Sequence, residues 1–255
     1  MNNDSQNIAL VTGGARRIGR AIALDLATHG WQVAVHFHTS REAALELVDE
    51  IRATGGDAVA LGADLGDEEE TGRLIAQAGE TLGPVSLLVN NASVFERDEF
   101  ASATRESWDL HMNVNLRAPF VLSQRFVAAL GQTGRGNIIN ILDQRVWRLT
   151  PRFMSYTLSK AGLWTLTQTM AQALAPRVRV NAIGPGPVLP SPRQSDESFT
   201  AQARALPLQR RTEPGEICAA VRFILESPSM TGQMIALDGG QHLAWQTPDV
   251  IGQEE

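Results

Sequence analysis

The chain has 255 residues, 43% apolar and 20% charged, so it can bury a sizeable core and does not fall in the disordered class. A formal charge of −6 argues against nucleic acid or an anionic membrane as the main partner. The one cysteine, Cys218, cannot form an internal disulfide, which favours a reducing compartment, and it reads as a small buried residue on a helix.

Short β-rich apolar runs alternate with amphipathic helical stretches. The first run is Ile8 to Val11, followed by a helix over Arg17 to Thr28 that Gly30 stops. The second run, Val33 to Phe37, leads to a helix capped by Ser40 and continuing through Ala53. The third, Ala58 to Leu61, precedes a helix from about Asp67 to Leu82, and the fourth is Val85 to Val89. One long helix is predicted from about Ser107 to Leu130, a fifth run from Asn137 to Leu142, and a helix from Met154 to Leu174. Val178 to Ile183 and Gln233 to Leu237 complete the set. Continuous apolar strands between helices describe a parallel sheet covered on both faces. The predicted fold is therefore a Rossmann-like α/β domain: one doubly wound parallel sheet of about seven strands, with helices on both faces, over residues 1–255. Residues 1–6 and 246–255 are expected to be flexible tails, and the proline-rich stretch 184–198 a substrate loop. No targeting segment or apolar run of membrane-spanning length is visible, so a soluble cytoplasmic protein is expected.

The turn after the first run reads Thr12-Gly13-Gly14-Ala15-Arg16-Arg17-Ile18-Gly19. Glycines at a strand-to-helix turn let the backbone approach a pyrophosphate, and the helix N-terminus offers free N–H groups. At the end of the second run, His38, Thr39 and Ser40 stand where an acidic residue would bind a ribose 2′-hydroxyl. With Arg16 and Arg17 close by, that segment suits a 2′-phosphate, so NADP(H) is expected over NAD(H). The pair His36 and His38 lacks a third ligand at suitable spacing, and no metal is expected.

Of the 22 basic residues only Lys160 is a lysine, and the one tyrosine, Tyr156, stands four positions before it. That spacing puts both on one helix face, and a nearby ammonium is expected to lower the phenol pKa, making Tyr156 a usable general acid. Asn91 follows the fourth run, Asn115 lies in the long helix, Asp143 follows the fifth run, and Pro185-Gly186 follows the sixth. Strand carboxyl ends are where ligands bind in such sheets.

With a TGxxxxxG turn, Asp64 after the third run, Asn90-Asn91-Ala92, the helix motif Asn113-Val114-Asn115-Leu116, YxxxK and a Gly-Pro-Gly loop, the chain resembles the short-chain dehydrogenase/reductase family over about residues 7–243. The resemblance implies that Tyr156 donates a proton, that Lys160 tunes it and anchors the nicotinamide ribose, and that Asn115 supports a proton relay. It places Asp64, with Leu65, near the adenine, and Asn91, Ala92, Ser93, Pro185 and Gly186 along the cofactor.

Two departures from the family pattern are informative. Asp143 stands where the family has Ser, and Arg17 where it has the middle glycine of the turn. Both match the pteridine reductase and dihydromonapterin reductase branch, as do the His36-Phe37-His38 stretch and Ser93 followed closely by Phe95. In that branch Phe95 would stack on a pterin, Arg17 and Ser93 would bind its polar edge or the adjacent phosphate, and Asp143 and Tyr156 would manage protons. The expectation is an NADPH-dependent pterin reductase working on a small-molecule substrate, and the resemblance also implies a homotetramer. A carbonyl or 3-oxoacyl-thioester reductase of the same family is the alternative, and a non-catalytic NADP(H)-binding sensor is the alternative of another class. Arg145, Trp147 and Arg148 match no family motif, although their loop follows Asp143.

Overall fold

The computed structural model describes residues 7–191 and 193–245, so the expected tails and Pro192 lie outside the described residues. Seven strands form one sheet: β1 (Ile8–Val11), β2 (Gln32–Phe37), β3 (Ala58–Gly62), β4 (Leu87–Asn90), β5 (Gly136–Ile141), β6 (Val178–Pro185) and β7 (Met234–Leu237). Their order is β3-β2-β1-β4-β5-β6-β7 and every pairing is parallel, as the sequence predicts. The order reverses between β1 and β4, which opens a crevice at their carboxyl ends.

The apolar runs are continuous because both sheet faces are covered. In β1, Ala9 and Val11 face one cluster with Leu26, Leu47, Ile51 and Val221, while Ile8 and Leu10 face another with Leu74, Leu122, Phe126 and Met170. Those layers are built by α1 (Arg17–Thr28), α2 (Arg41–Ala53) and the helix that carries Val221 on one side, and by α3 (Glu68–Leu82) with the helices that carry Leu122, Phe126 and Met170 on the other. Truncating a fully buried leucine such as Leu122 would cost about 2–5 kcal/mol.

The sequence-based expectations need three corrections here. The predicted long helix is α4 (Arg105–Met112), a π-helical turn Asn113–Arg117, and α5 (Ala118–Ala129). Pro119 follows the π turn directly in continuously helical backbone, so it removes one intrahelical N–H donor there. Ser40 stands at the N-cap position of α2, but its side chain makes no cap bond. Residues 184–198 are not all loop: β6 runs through Pro185, and α7 (Asp196–Arg204) starts inside the stretch. Beyond it lies α8 (Pro214–Glu226), where Cys218 is buried as expected. The helix α6 (Met154–Leu174) has the predicted bounds.

Candidate active site

The glycine turn is held from behind by β2 and β4. The Gly13 N–H donates to His36 Nδ1 at 3.0 Å, which leaves the ring proton on Nε2, 3.1 Å from the Ala63 carbonyl. Burial pushes the His36 pKa down to about 4, so the ring stays neutral. Asn91 donates through Nδ2 to the carbonyls of Thr12 (2.8 Å) and Gly13 (3.2 Å), and Thr12 Oγ1 accepts the N–H groups of Asn91 and Ala92. A Cβ at Gly19 would lie 2.1 Å from the Gly13 carbonyl oxygen, and one at Gly186 2.7 Å from Asp238 Cα. No side chain caps α1 and no acid sits in its first turn, whereas α3 is capped by Asp67 and opens on Glu68, Glu69 and Glu70. The exposed end of the crevice thus keeps unclaimed helix N–H groups, with Arg16, Ile18 and Gly19 at its mouth, which is what a pyrophosphate requires. His38 and Thr39 are exposed beyond β2, with His38 Nε2 3.8 Å from Asp64. Asp64 accepts the Gly66 N–H at 2.8 Å, and Leu65 is buried beside it.

Arg17 goes elsewhere. It holds φ at +54°, and its guanidinium donates to the carbonyls of Leu189 (3.0 Å) and Pro190 (2.8 Å), tying the turn to the substrate loop. Arg193 ties that loop to Glu96 and to the Phe95 carbonyl.

At the opposite side of the crevice, Tyr156 and Asp143 meet as expected: the phenol donates to Asp143 Oδ2 at 2.9 Å, while Oδ1 accepts the Arg145 N–H at 2.9 Å. Lys160 is 2% exposed and donates to the Ile141 carbonyl at 2.9 Å. Burial lowers its pKa to about 8 against the pull of Asp143. The expected lowering of the phenol pKa does not occur in this state. Burial first, and the Asp143 charge second, push Tyr156 well above the usual range, with smaller opposing effects from Arg145 and Ser93. Burial also raises Asp143. The two acids are therefore both biased to hold protons.

Asn115 lies in the π turn and is fully buried. It accepts the Val94 N–H (2.8 Å), donates to the Val94 carbonyl (2.9 Å) and donates to Ser159 Oγ (3.1 Å), and that hydroxyl donates to the Tyr156 carbonyl (2.7 Å). It thereby joins the segment after β4 to the tyrosine turn. Ser93 is exposed at the crevice.

The sequence reading overlooked Phe153, which stacks on Phe95 with centroids 4.2 Å apart and planes 8° apart. The Tyr156 ring meets Phe95 edge-on at 4.6 Å, and Arg145 caps both phenylalanines, 5.1 Å from Phe153 and 5.8 Å from Phe95. Trp147 meets the His242 ring at 5.1 Å, and Arg148 donates to the Gln241 carbonyl, so these two hold the C-terminal turn Gln241–Leu243.

A glycine turn at the switch point of a parallel sheet, facing a Tyr–Lys–Asn set across the strand ends, defines a dinucleotide-dependent oxidoreductase. The chain belongs to the short-chain dehydrogenase family, whose model matches residues 7–200. It is 33% identical to a 3-oxoacyl-[acyl-carrier-protein] reductase of Synechocystis, over 91% of this chain and 96% of that one. Among solved structures it is similar to FolM alternative dihydrofolate reductase 1 from Brucella canis, complexed with NADP. The match has 51% identity and a TM-score of 0.93, and covers 96% of this chain and 97% of that one. A blue fluorescent protein from a metagenomic library, in complex with NADPH, matches at 33% identity and a TM-score of 0.85, over 94% of this chain and 99% of that one. Among the described residues no helix is long and apolar enough to cross a membrane.

Proposed function

We propose that this chain is an NADPH-dependent reductase of a pterin C=N bond, of the dihydropterin or dihydrofolate kind. The observation that carries the reading is the 2.9 Å bond between Tyr156 and Asp143 beside the Phe95 ring. A ketone needs one proton on oxygen, which a neutral Ser–Tyr pair supplies. A ring nitrogen needs a proton from an acid of matched strength, and Asp143 is a carboxyl whose pKa burial raises toward that task. The 51% identity to a protein described as an alternative dihydrofolate reductase, against 33% to a 3-oxoacyl reductase, supports the same choice.

The cofactor would lie against Gly13, Arg16, Arg17, Ile18 and Gly19 with its pyrophosphate, and against His38, Thr39 and Ser40 with its 2′-phosphate. Asp64 and Leu65 would meet the adenine. Asn91, Ala92, Ser93, Tyr156, Lys160, Pro185 and Gly186 would meet the nicotinamide half. When bound it supplies a hydride. The chain's own residues do the rest. Phe95 presents an aromatic face to a planar ring, and Arg17 and Ser93 bind the substrate's polar edge or the phosphate beside it. Asp143 and Tyr156 hold the proton at the substrate nitrogen. Lys160 would tune the tyrosine and anchor the nicotinamide ribose, and Asn115, which joins Val94 to the tyrosine turn, would support the proton relay. Arg17 would have to leave the Leu189 and Pro190 carbonyls, or share its five donors with them, to reach a phosphate.

The decisive experiment is a substrate panel: NADPH oxidation by the purified protein with a dihydropterin and with a 3-oxoacyl thioester. The dihydropterin should be used at the higher kcat/KM, and the reverse order would install the 3-oxoacyl reading instead. NADPH without turnover of any member of the panel would favour the sensor reading. We assign the chain as one reductase domain working in the cytoplasm as a homotetramer. The groove on the α4–α6 side, lined by Met112, Leu116, Phe120 and Leu166, supports pairing with a second copy, and light scattering tests it.

A further inference from the structure

We propose that Asp98 is a positioning residue that sets the Phe95 ring and the Tyr156 phenol relative to each other, acting through Ser155 and His111. The proposal rests on reading the space beside Phe95 and Tyr156 as the substrate site.

The three residues come from separate segments and are almost fully buried: Asp98 is 1% exposed, and Ser155 and His111 are 0% exposed. Asp98 follows the Phe95 segment, His111 is on α4, and Ser155 is in the first turn of α6. That helix has an unusual start. Phe153, its N-cap, is in the left-handed region at φ +59°, and no side chain of the helix's own segment caps it. Asp98 supplies the cap from 57 residues away. Its carbonyl accepts the Phe153 N–H at 2.7 Å, its Oδ1 accepts the Ser155 N–H at 3.2 Å, and its Oδ2 accepts the Ser155 hydroxyl. A carboxylate at a helix N-terminus is favoured by the dipole and by the free N–H groups.

The histidine sets the direction of these bonds. The Glu96 N–H donates to His111 Nε2 at 3.0 Å, so the ring proton sits on Nδ1, facing the Ser107 carbonyl at 2.8 Å and Ser155 Oγ at 2.7 Å. The serine hydroxyl proton is then left for Asp98. The Nδ1 proton is shared between two acceptors, and reversing the Glu96–His111 or the Ser155–Asp98 bond would leave a buried polar group without a partner. The result is a bolt between residues 94–98 and the first turn of α6. Phe95 and Tyr156 are neighbours of bolted residues, Glu96 and Ser155, and meet each other at 4.6 Å. None of the three bolt residues hydrogen-bonds to Asp143, whose oxygens go to Tyr156 and Arg145.

The lone tyrosine makes a direct test available. Protein carrying [13Cζ]tyrosine gives one resonance, from Tyr156. Ser155→Ala deletes one hydroxyl, while Ser155→Thr keeps it. In Ser155→Ala the resonance should move, and its titration should fall toward that of an ordinary phenol as the bond to Asp143 loosens. KM for a dihydropterin should rise about tenfold or more, with NADPH affinity held within about twofold. Ser155→Thr should restore both. Asp98→Asn, which turns an acceptor into a donor against Ser155 Oγ, should have the larger effect. An unchanged Tyr156 signal and KM in Ser155→Ala would overturn the proposal, as would a threonine that fails to rescue or an equal loss of NADPH affinity. If Asp98→Asn does not fold, the serine pair still decides. If the parent protein reduces no pterin, the pterin reading fails, while the resonance alone still decides the positioning role.

Discussion

The glycine turn and the tyrosine corner face each other across one crevice, yet they are made of different materials. The turn offers backbone to the crevice, with Gly19 packed so close to Gly13 that a methyl group would sit 2.1 Å from its carbonyl oxygen, and the side chains of Thr12, His36 and Asn91 brace it only from behind. The corner is side chain against side chain: Tyr156 on Asp143, Phe95 on Phe153, and Arg145 over both rings. A backbone-built site accepts almost no change, but it also discriminates little beyond shape and charge. A side-chain-built site can be retuned one residue at a time, which is where substrate choice within a family is expected to reside.

The largest effect that contrast predicts is at Gly19. Gly19→Ala should abolish measurable NADPH binding in a fluorescence titration, because the obstacle is a peptide carbonyl that cannot rotate away, and overpacking of this kind costs about 1–3 kcal/mol or more. Retained binding would show that the turn yields as side chains do. Next comes Asp143→Asn, which keeps the size of the side chain and removes its acid. Pterin turnover should fall about 100-fold or more while NADPH affinity stays within about threefold. The pH profile sharpens the point. A raised carboxyl pKa keeps the acid form at higher pH, so pterin turnover in the parent should decline as pH rises through that pKa, and the asparagine variant should lose this limb. A matching loss of NADPH affinity would erase the distinction between the two sides.

The smallest effect concerns the clamp behind the turn. His36 has a folded-state pKa of about 4 against 6.5 for the free side chain. The unfolded chain therefore binds this proton first, and stability present above pH 6.5 is lost as pH falls toward 4. The difference amounts to about 3 kcal/mol at most. His36→Asn should start with a lower melting temperature at pH 7.5 and show a shallower decline between pH 6.5 and 4.5. Parallel melting curves for the two proteins would mean that the ring bears no proton-linked load.

The two regions also differ in how far they could be read from residues alone. Strands β1 to β6 and helices α1, α2, α3 and α6 fall within a residue or two of their predicted bounds, because runs buried on both faces and clear stops such as Gly30 are local signals. The meeting of Asp143 with Tyr156 was legible from a strand end and a helix start thirteen residues apart. Phe153 was not, because its role depends on a left-handed backbone and on a ring from a segment more than fifty residues earlier. The direction of the phenol shift was misjudged for a related reason. The lysine was visible in the spacing, but the burial that outweighs it was not. Arg17 reads as a phosphate ligand from its position, and its reach to the Leu189 and Pro190 carbonyls depends on where the loop folds back. His36 carried a usable signal: a histidine inside a buried strand, next to a glycine turn, needs two partners.

The π turn at Asn113–Arg117 has a consequence for chain length. A π turn accommodates one residue more than an α turn, and one residue is worth about 100° of helix rotation. Removing a single residue there would let the two flanking helices fuse smoothly. It would also swing either Asn115 away from Val94 or the Leu122 and Phe126 face away from the sheet, since both cannot keep their bearing. The stretch therefore tolerates substitution of its exposed Asn113 and Arg117 far better than a change in residue count. A frame-preserving deletion of one codon here should be more damaging than most point changes in the molecule.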